Sequence, residues 1–198
     1  MLNDRSSTLS LLRTRRSGRP RDLAAPGPTP AELREILAVA MRTPDHGKLH
    51  PWRFVHVGQD RRDAFAALLD RAYRAGNPAP GRLELEANER FARQAPDLVV
   101  ALSSPTPGHK IPVWEQELSC GAACMNLVLA AHAAGYAAGW VTGWAAYSPQ
   151  VLAAFGAPGE RIAGFIFIGT PAAELEERLR PEADEVVSEW TPPAPESA

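Results

Sequence analysis

An α+β domain with a mixed or antiparallel sheet flanked by helices is the fold this chain predicts. Two observations lead there. Four strand candidates are interleaved with helical segments along the chain, and 198 residues with 45% hydrophobic content suit a single domain with a buried core. A third observation removes the obvious competitors: no G-x-G-x-x-G follows a strand and no G-x-x-x-x-G-K-[ST] occurs, which sets aside a Rossmann dehydrogenase and a P-loop NTPase.

Residues 8–16 read as a short helix with Leu9, Leu11 and Leu12 apolar. Arg13, Arg15 and Arg16 fall at its C-terminus, where the helix dipole favours cations. Gly and Pro break regular structure over residues 19–28. Thr29-Pro30-Ala31-Glu32 is then a capping box with proline at the first helical position, and Leu33, Ile36, Leu37, Ala40 and Met41 recur at helical spacing. That helix is expected to stop just before Pro44, delivering Arg42 and His46 to its mouth. Residues 52–57 read as a strand, 60–75 as an amphipathic helix with Phe65, Leu68 and Leu69 inward, and 82–94 as a charged helix after a loop. Pro96 precedes a strand over 98–102.

Residues 114–134 are rich in Ala, Gly, Ser, Cys, Leu and Met, with polar residues confined mainly to the first turn and to Asn126 and His132. A helix apolar nearly all round is buried, and its small side chains admit a close neighbour, so it serves as the core helix, a subunit interface, or both. Gly135 leads into a short strand at Trp140-Val141, Ser148-Pro149 opens a brief helix, and 162–168 is a buried strand. Residues 184–190 read as strand-like, and the Pro-rich 191–198 as a disordered tail after one domain over 1–190.

A formal charge of −2 and a pI near 6.2 give no global attraction to nucleic acid or to an anionic membrane. No apolar run is long enough to span a bilayer, and the N-terminus lacks a signal core, so a soluble, cytoplasmic protein is expected. Cys120 and Cys124 lack the flanking ligands a zinc site needs and read as buried structural thiols; no metal site is expected. No Ser-His-Asp or paired-carboxylate arrangement is discernible, which disfavours hydrolysis. His109 reads as a solvated loop residue and His132 as a satisfied helical one.

Chemistry concentrates in two segments. Arg15-Arg16-Ser17 supplies two forked guanidiniums and a hydroxyl suited to a phosphate. Pro44-Asp45-His46-Gly47-Lys48-Leu49-His50-Pro51-Trp52-Arg53 carries two imidazoles and an indole that can face a planar heteroaromatic ring. Alone, the first is more often a solvated basic end; together they point to a phosphorylated aromatic cofactor.

These residues carry a resemblance to the nitroreductase family of FMN oxidoreductases, nearest to its short-chain members. The matching landmarks are Arg15-Arg16-Ser17, Met41 to His46 running into Pro51-Trp52-Arg53-Phe54, Trp114-Glu115-Gln116-Glu117, Gly139-Trp140 and Gly169-Thr170-Pro171, in the family's order. The chain departs from the pattern at His50, where Gln or another polar residue often precedes Pro-Trp. It departs again at Val141-Thr142, where Arg-Ser can follow the Trp. The resemblance implies an intertwined homodimer whose C-terminal segments reach over the partner. It implies FMN held by Arg15, Arg16, Ser17, Arg42 and His46, with Trp140, Val141 and Thr142 contacting it largely through backbone groups. Arg180 is either a further phosphate ligand or a surface arginine. Ala130, Ala131, His132, Ala133, Ala134 and Gly135 fall where nicotinamide contacts are sometimes attributed, though in this chain they read first as the end of a buried helix. The roles of Trp114 and Glu115 stay open between lining the flavin and capping the helix.

The activity so implied is reduction of a nitroaromatic, quinone or similar small-molecule acceptor by NAD(P)H through FMN, with no protein nucleophile. No 2′-phosphate site is recognisable that would choose NADPH over NADH. Dehydrogenation or flavin breakdown on the same fold, and a flavin-sequestering module without turnover, are the alternatives that assays of NAD(P)H oxidation and products separate.

Overall fold

The computed structural model describes residues 1–193. Its elements are α1 (Thr8–Thr14), β1 (Leu23–Ala24), α2 (Pro30–Ala40), β2 (Trp52–Val57), α3 (Arg62–Gly76), α4 (Arg82–Arg93) and β3 (Asp97–Ser103). They continue with α5 (Val113–Ala133), β4 (Ala137–Val141), α6 (Trp144–Tyr147), α7 (Pro149–Phe155), β5 (Arg161–Pro171) and α8 (Ala183–Val186). Every strand pairing among the described residues is antiparallel. β5 is the hub, pairing with β3, with β4 and, at its far end, with β1, while β2 pairs with β3.

The sheet is covered on both faces, which is why Phe165, Ile166, Phe167 and Ile168 are apolar without alternation and all fully buried. On one face Leu98, Val100, Leu102, Phe165 and Phe167 pack with Phe65 and Leu69 of α3 and Ala92 of α4. On the other, Val99, Ala101, Ile166, Ile168 and Trp52 pack with α5 through Ala123, Cys124 and Leu127, and with Leu33 and Ile36 of α2. Both cysteines are buried and unpaired. The α2 capping box forms as its sequence predicts: Thr29 N and Oγ1 both donate to Glu32 Oε2, at 2.8 and 2.7 Å.

Three expectations are corrected. The first helix ends at Thr14, because Asn3 takes both backbone groups of Arg16, accepting from its N–H at 2.7 Å and donating to its carbonyl at 3.1 Å. Arg15 and Arg16 therefore lie on extended chain and gain nothing from a helix dipole. The break at 19–28 contains β1 and a short 3-10 turn, Pro20–Asp22. Residues 184–190 are not a strand: Glu185 caps the backbone N–H of Glu182 at 3.1 Å and one helical turn forms, because a strand needs a neighbour and this segment has none among the described residues. Residues 191–193 have no regular structure, and the rest of the expected tail lies outside the described residues.

Candidate functional site

Arg15, Arg16 and Ser17 are half-buried and lie against β4, where Gly18 N–H donates to Ala138 O at 3.2 Å. The close approach needs a glycine on the strand, since a Cβ at Gly139 would sit 2.5 Å from Gly18 O. Arg15 Nη1 donates to Ser17 Oγ at 3.1 Å. Burial holds the Arg15 guanidinium below its ordinary pKa, and the charges of Arg180 and Arg16 push the same way. Arg180, far along the chain, is thus in the same cluster, with Glu177 Oε1 at 3.5 Å. The segment carrying it is pinned by Glu176, whose carbonyl accepts from Arg16 Nε at 2.5 Å and whose carboxylate pairs with Arg19 at 2.5 Å. Sequence reasoning missed Glu176, because no local pattern announces a contact across 160 positions.

Arg42 and His46 lie elsewhere, exposed on the loop after α2 and along the outer face of α5. Asn126 Nδ2 donates to Arg42 O at 3.1 Å, and His46 Nδ1 stands 2.8 Å from Glu115 Oε2. No hydrogen bond or ion pair among the described residues joins this pair to Arg15, Arg16 or Ser17.

Trp140 is the penultimate residue of β4, its indole covering Gly164 and donating to Ala163 O at 3.1 Å. Val141 ends the strand, and Thr142 follows, exposed, before Gly143 at φ 121°. Trp140 also walls a cavity of about 540 Å³ shared with Cys120, Gly121, Tyr147, Ser148 and Ile162. Ser103 Oγ lies on that wall, buried and without a hydrogen-bond partner. Of the 130–135 segment, Ala130, Ala131 and His132 are buried, whereas Ala133, Ala134 and Gly135 are exposed. His132 is not fully satisfied, contrary to expectation: Nδ1 lies 3.3 Å from Tyr136 O, but Nε2 is buried without a partner. Burial lowers its pKa to about 4.

Much of the second motif proves structural. Asp45 accepts from Leu49 N–H and His50 N–H, both at 3.0 Å, and so holds the turn in which Lys48 and His50 take positive φ. Trp52, expected to face a ring, is in the core, because it starts β2 and its side chain falls on the α5 side of the sheet. Arg53 makes a two-pronged contact with Glu160, at 2.9 and 2.8 Å, lowering that carboxyl to about 2. That leaves His46 and His50 as the motif's exposed rings. Among the described residues no cluster could hold a metal ion, and no helix is long and apolar enough to cross a membrane.

Comparison with known proteins meets this geometry from outside. The sequence profile described as the Nitroreductase family matches residues 12–170, which contain Arg15 to Ser17, Arg42, His46 and all of β2 to β4. The Escherichia coli K12 protein named "Putative NAD(P)H nitroreductase YdjA" is 37% identical over 164 residues, 82% of this chain and 87% of that protein. A nitroreductase-like family protein from Bacillus cereus superposes with a TM-score of 0.77 at 21% identity, covering 93% of this chain and 96% of its own. A nitroreductase with bound FMN from Bacteroides fragilis superposes with a TM-score of 0.67 at 22% identity, covering 91% and 98%. A profile match over most of the chain, a relative at this identity and the shared fold agree, and the chain belongs to the nitroreductase family.

Proposed function

We propose that this chain is an FMN-dependent oxidoreductase that uses NAD(P)H to reduce a nitroaromatic, quinone or similar small acceptor. The observation that carries the reading is the cluster of Arg15, Arg16 and Ser17 against β4, where burial and then the charges of Arg180 and Arg16 weigh on the Arg15 guanidinium. A half-buried guanidinium among like charges favours an anion with several oxygens, and a phosphate monoester fits. When bound, FMN would supply the redox chemistry, ping-pong hydride transfer between NAD(P)H and the acceptor. Arg15, Arg16, Ser17 and Arg180 would hold the phosphate, and backbone groups of Trp140 to Thr142 the ring edge. The protein's remaining work is to orient the reactants and exclude water.

The active unit in this reading is a homodimer of one-domain chains, with each site completed by Arg42 and His46 of a second copy. Two features support it. Those two residues are exposed and separate from the Arg15 group within one chain. Trp114 and Leu118 of α5 are 67% and 54% exposed, and Leu9, Leu12, Val39 and Met41 are also large exposed apolar groups.

The purified protein should show flavin bands near roughly 370 and 450 nm and release FMN, not FAD, on heating. It should also oxidise NAD(P)H steadily when an acceptor is supplied, which a sequestering module would not do. Arg16→Ala should weaken FMN binding about ten- to a hundredfold, the cost of one charge-assisted hydrogen bond. Recovery of FAD, or failure to retain flavin after reconstitution, counts against the proposal.

A further inference from the structure

α5 is apolar along most of its length, yet Glu115, Ser119 and Asn126 interrupt it at spacings of four and then seven residues, which brings all three to one face of the helix. Each holds the loop after α2 at a different point. Asn126 Nδ2 donates to Arg42 O at 3.1 Å and to Thr43 Oγ1 at 2.8 Å. Ser119 Oγ donates to Pro44 O at 2.5 Å, and Glu115 Oε2 stands 2.8 Å from His46 Nδ1. Rising loop numbers meet falling helix numbers, so the loop is laid antiparallel along the helix and tied at both ends.

Resting on the flavin reading above, we propose that this stripe is a positioning device for the second half of the cofactor site, with Glu115 setting the tautomer and direction of His46. An ionised carboxylate only accepts, so Nδ1 carries the proton it shares with Glu115. Nε2 is then the nitrogen left for the polar edge of FMN held by a second copy. Asn126 and Ser119 fix the backbone from Arg42 to Pro44, leaving the Arg42 guanidinium exposed for the same ligand. The neighbours of Glu115 are otherwise engaged. Gln116 braces the loop before the helix, accepting from Thr106 N–H at 2.8 Å and donating to Ile111 O at 3.0 Å. Glu117 pairs with Arg161.

The test combines two measurements on the full chain. FMN dissociation constants are determined for wild type, Glu115→Ala, Glu115→Gln, His46→Ala and the Glu115→Ala/His46→Ala double variant. The ring nitrogens of His46 are followed by 15N NMR on flavin-free protein. Glu115→Ala should weaken FMN about tenfold, the scale of losing an outer partner of a site histidine. Glu115→Gln, which keeps an acceptor oxygen, should restore most of the binding. In the His46→Ala background Glu115→Ala should add nothing, because its effect passes through the imidazole. The 15N spectrum should move from one Nδ1–H tautomer to a mixture when Glu115 is removed. A loss that persists undiminished without His46, or a tautomer indifferent to Glu115, overturns the proposal. A wild-type chain that retains no FMN overturns the flavin reading itself, and it does so before any variant is made.

Discussion

At the scale of single residues, two groups make the fold sensitive to acid. His132 is 1% exposed and its pKa is lowered to about 4, first by burial and then by the charge of Arg15, although a contact with Tyr136 O opposes the shift. The folded chain binds this proton more weakly than the unfolded chain does. Stability is therefore full above pH 6.5 and is lost as pH falls toward 4, by about 3 kcal/mol. Glu160, lowered to about 2 by Arg53, contributes stability that is present above its ordinary value of 4.5 and is lost as pH falls toward 2. Urea midpoints measured from pH 7 to pH 3 should fall in two stages, and His132→Gln should remove the upper one. A midpoint flat between pH 6.5 and 4 would show that His132 finds a partner for its proton. The same scale explains why the second motif reads ambiguously from sequence: Asp45, Trp52 and Arg53 serve the turn, the core and a buried carboxylate, and only His46 is left exposed with a carboxylate partner on α5.

At the scale of elements, one buried side chain joins three of them. Arg62, at the start of α3 and 2% exposed, donates from Nε to Val57 O at 3.0 Å, from Nη1 to Ala92 O at 3.0 Å and Gln94 O at 3.2 Å, and from Nη2 to Pro96 O at 3.3 Å. These carbonyls close β2, end α4 and lead into β3, so the guanidinium satisfies chain ends that no regular ladder reaches. Arg62→Leu would take this donor from Val57, Ala92 and Gln94, while Pro96 O keeps Gln59 Nε2 at 2.5 Å, and the loss should be about 3 kcal/mol or more, seen as a lower denaturant midpoint. A change under about 1 kcal/mol would mean that water takes over those carbonyls. β4 carries the other element-scale prediction. Gly139→Ala must displace Gly18 O, so it should cost about 1–3 kcal/mol and reduce retained FMN together, because the strand and the Arg15 segment move as one. Loss of stability with full flavin retention would separate the two.

At the scale of the whole molecule, the proposed homodimer would cover the exposed apolar groups on α1, α2 and α5 and on the C-terminal segment. Val187 and Trp190 are 68% and 81% exposed among the described residues. Truncation before Glu185 should raise the dimer dissociation constant about ten- to a hundredfold, the worth of burying one large apolar side chain, and lower FMN retention with it. Sedimentation of a flavin-loaded, active monomer would overturn the assembly and leave family membership intact.

Sequence alone determined what depends on near neighbours. Period and caps placed α2 from its Thr29 capping box, β2 to the residue, and α3, α4 and α5 to within about two residues, because capping and amphipathic spacing are local physics. The apolar run over 162–168 likewise announced a buried strand, which forms as β5. Tertiary structure alone decided what depends on distant partners. Asn3 pulled Arg15 and Arg16 off the end of a helix, Glu176 met Arg16 from 160 positions away, and a strand-like segment without a strand neighbour among the described residues became a single helical turn. The candidate site shows the same division. Arg15, Arg16 and Ser17 were named as candidates from their residue types, and Arg42 and His46 from the family resemblance. Glu115 acquired a partner, and Trp52 was removed to the core, only when the chain folded, because pairing and burial are properties of a place in space that no local spacing records.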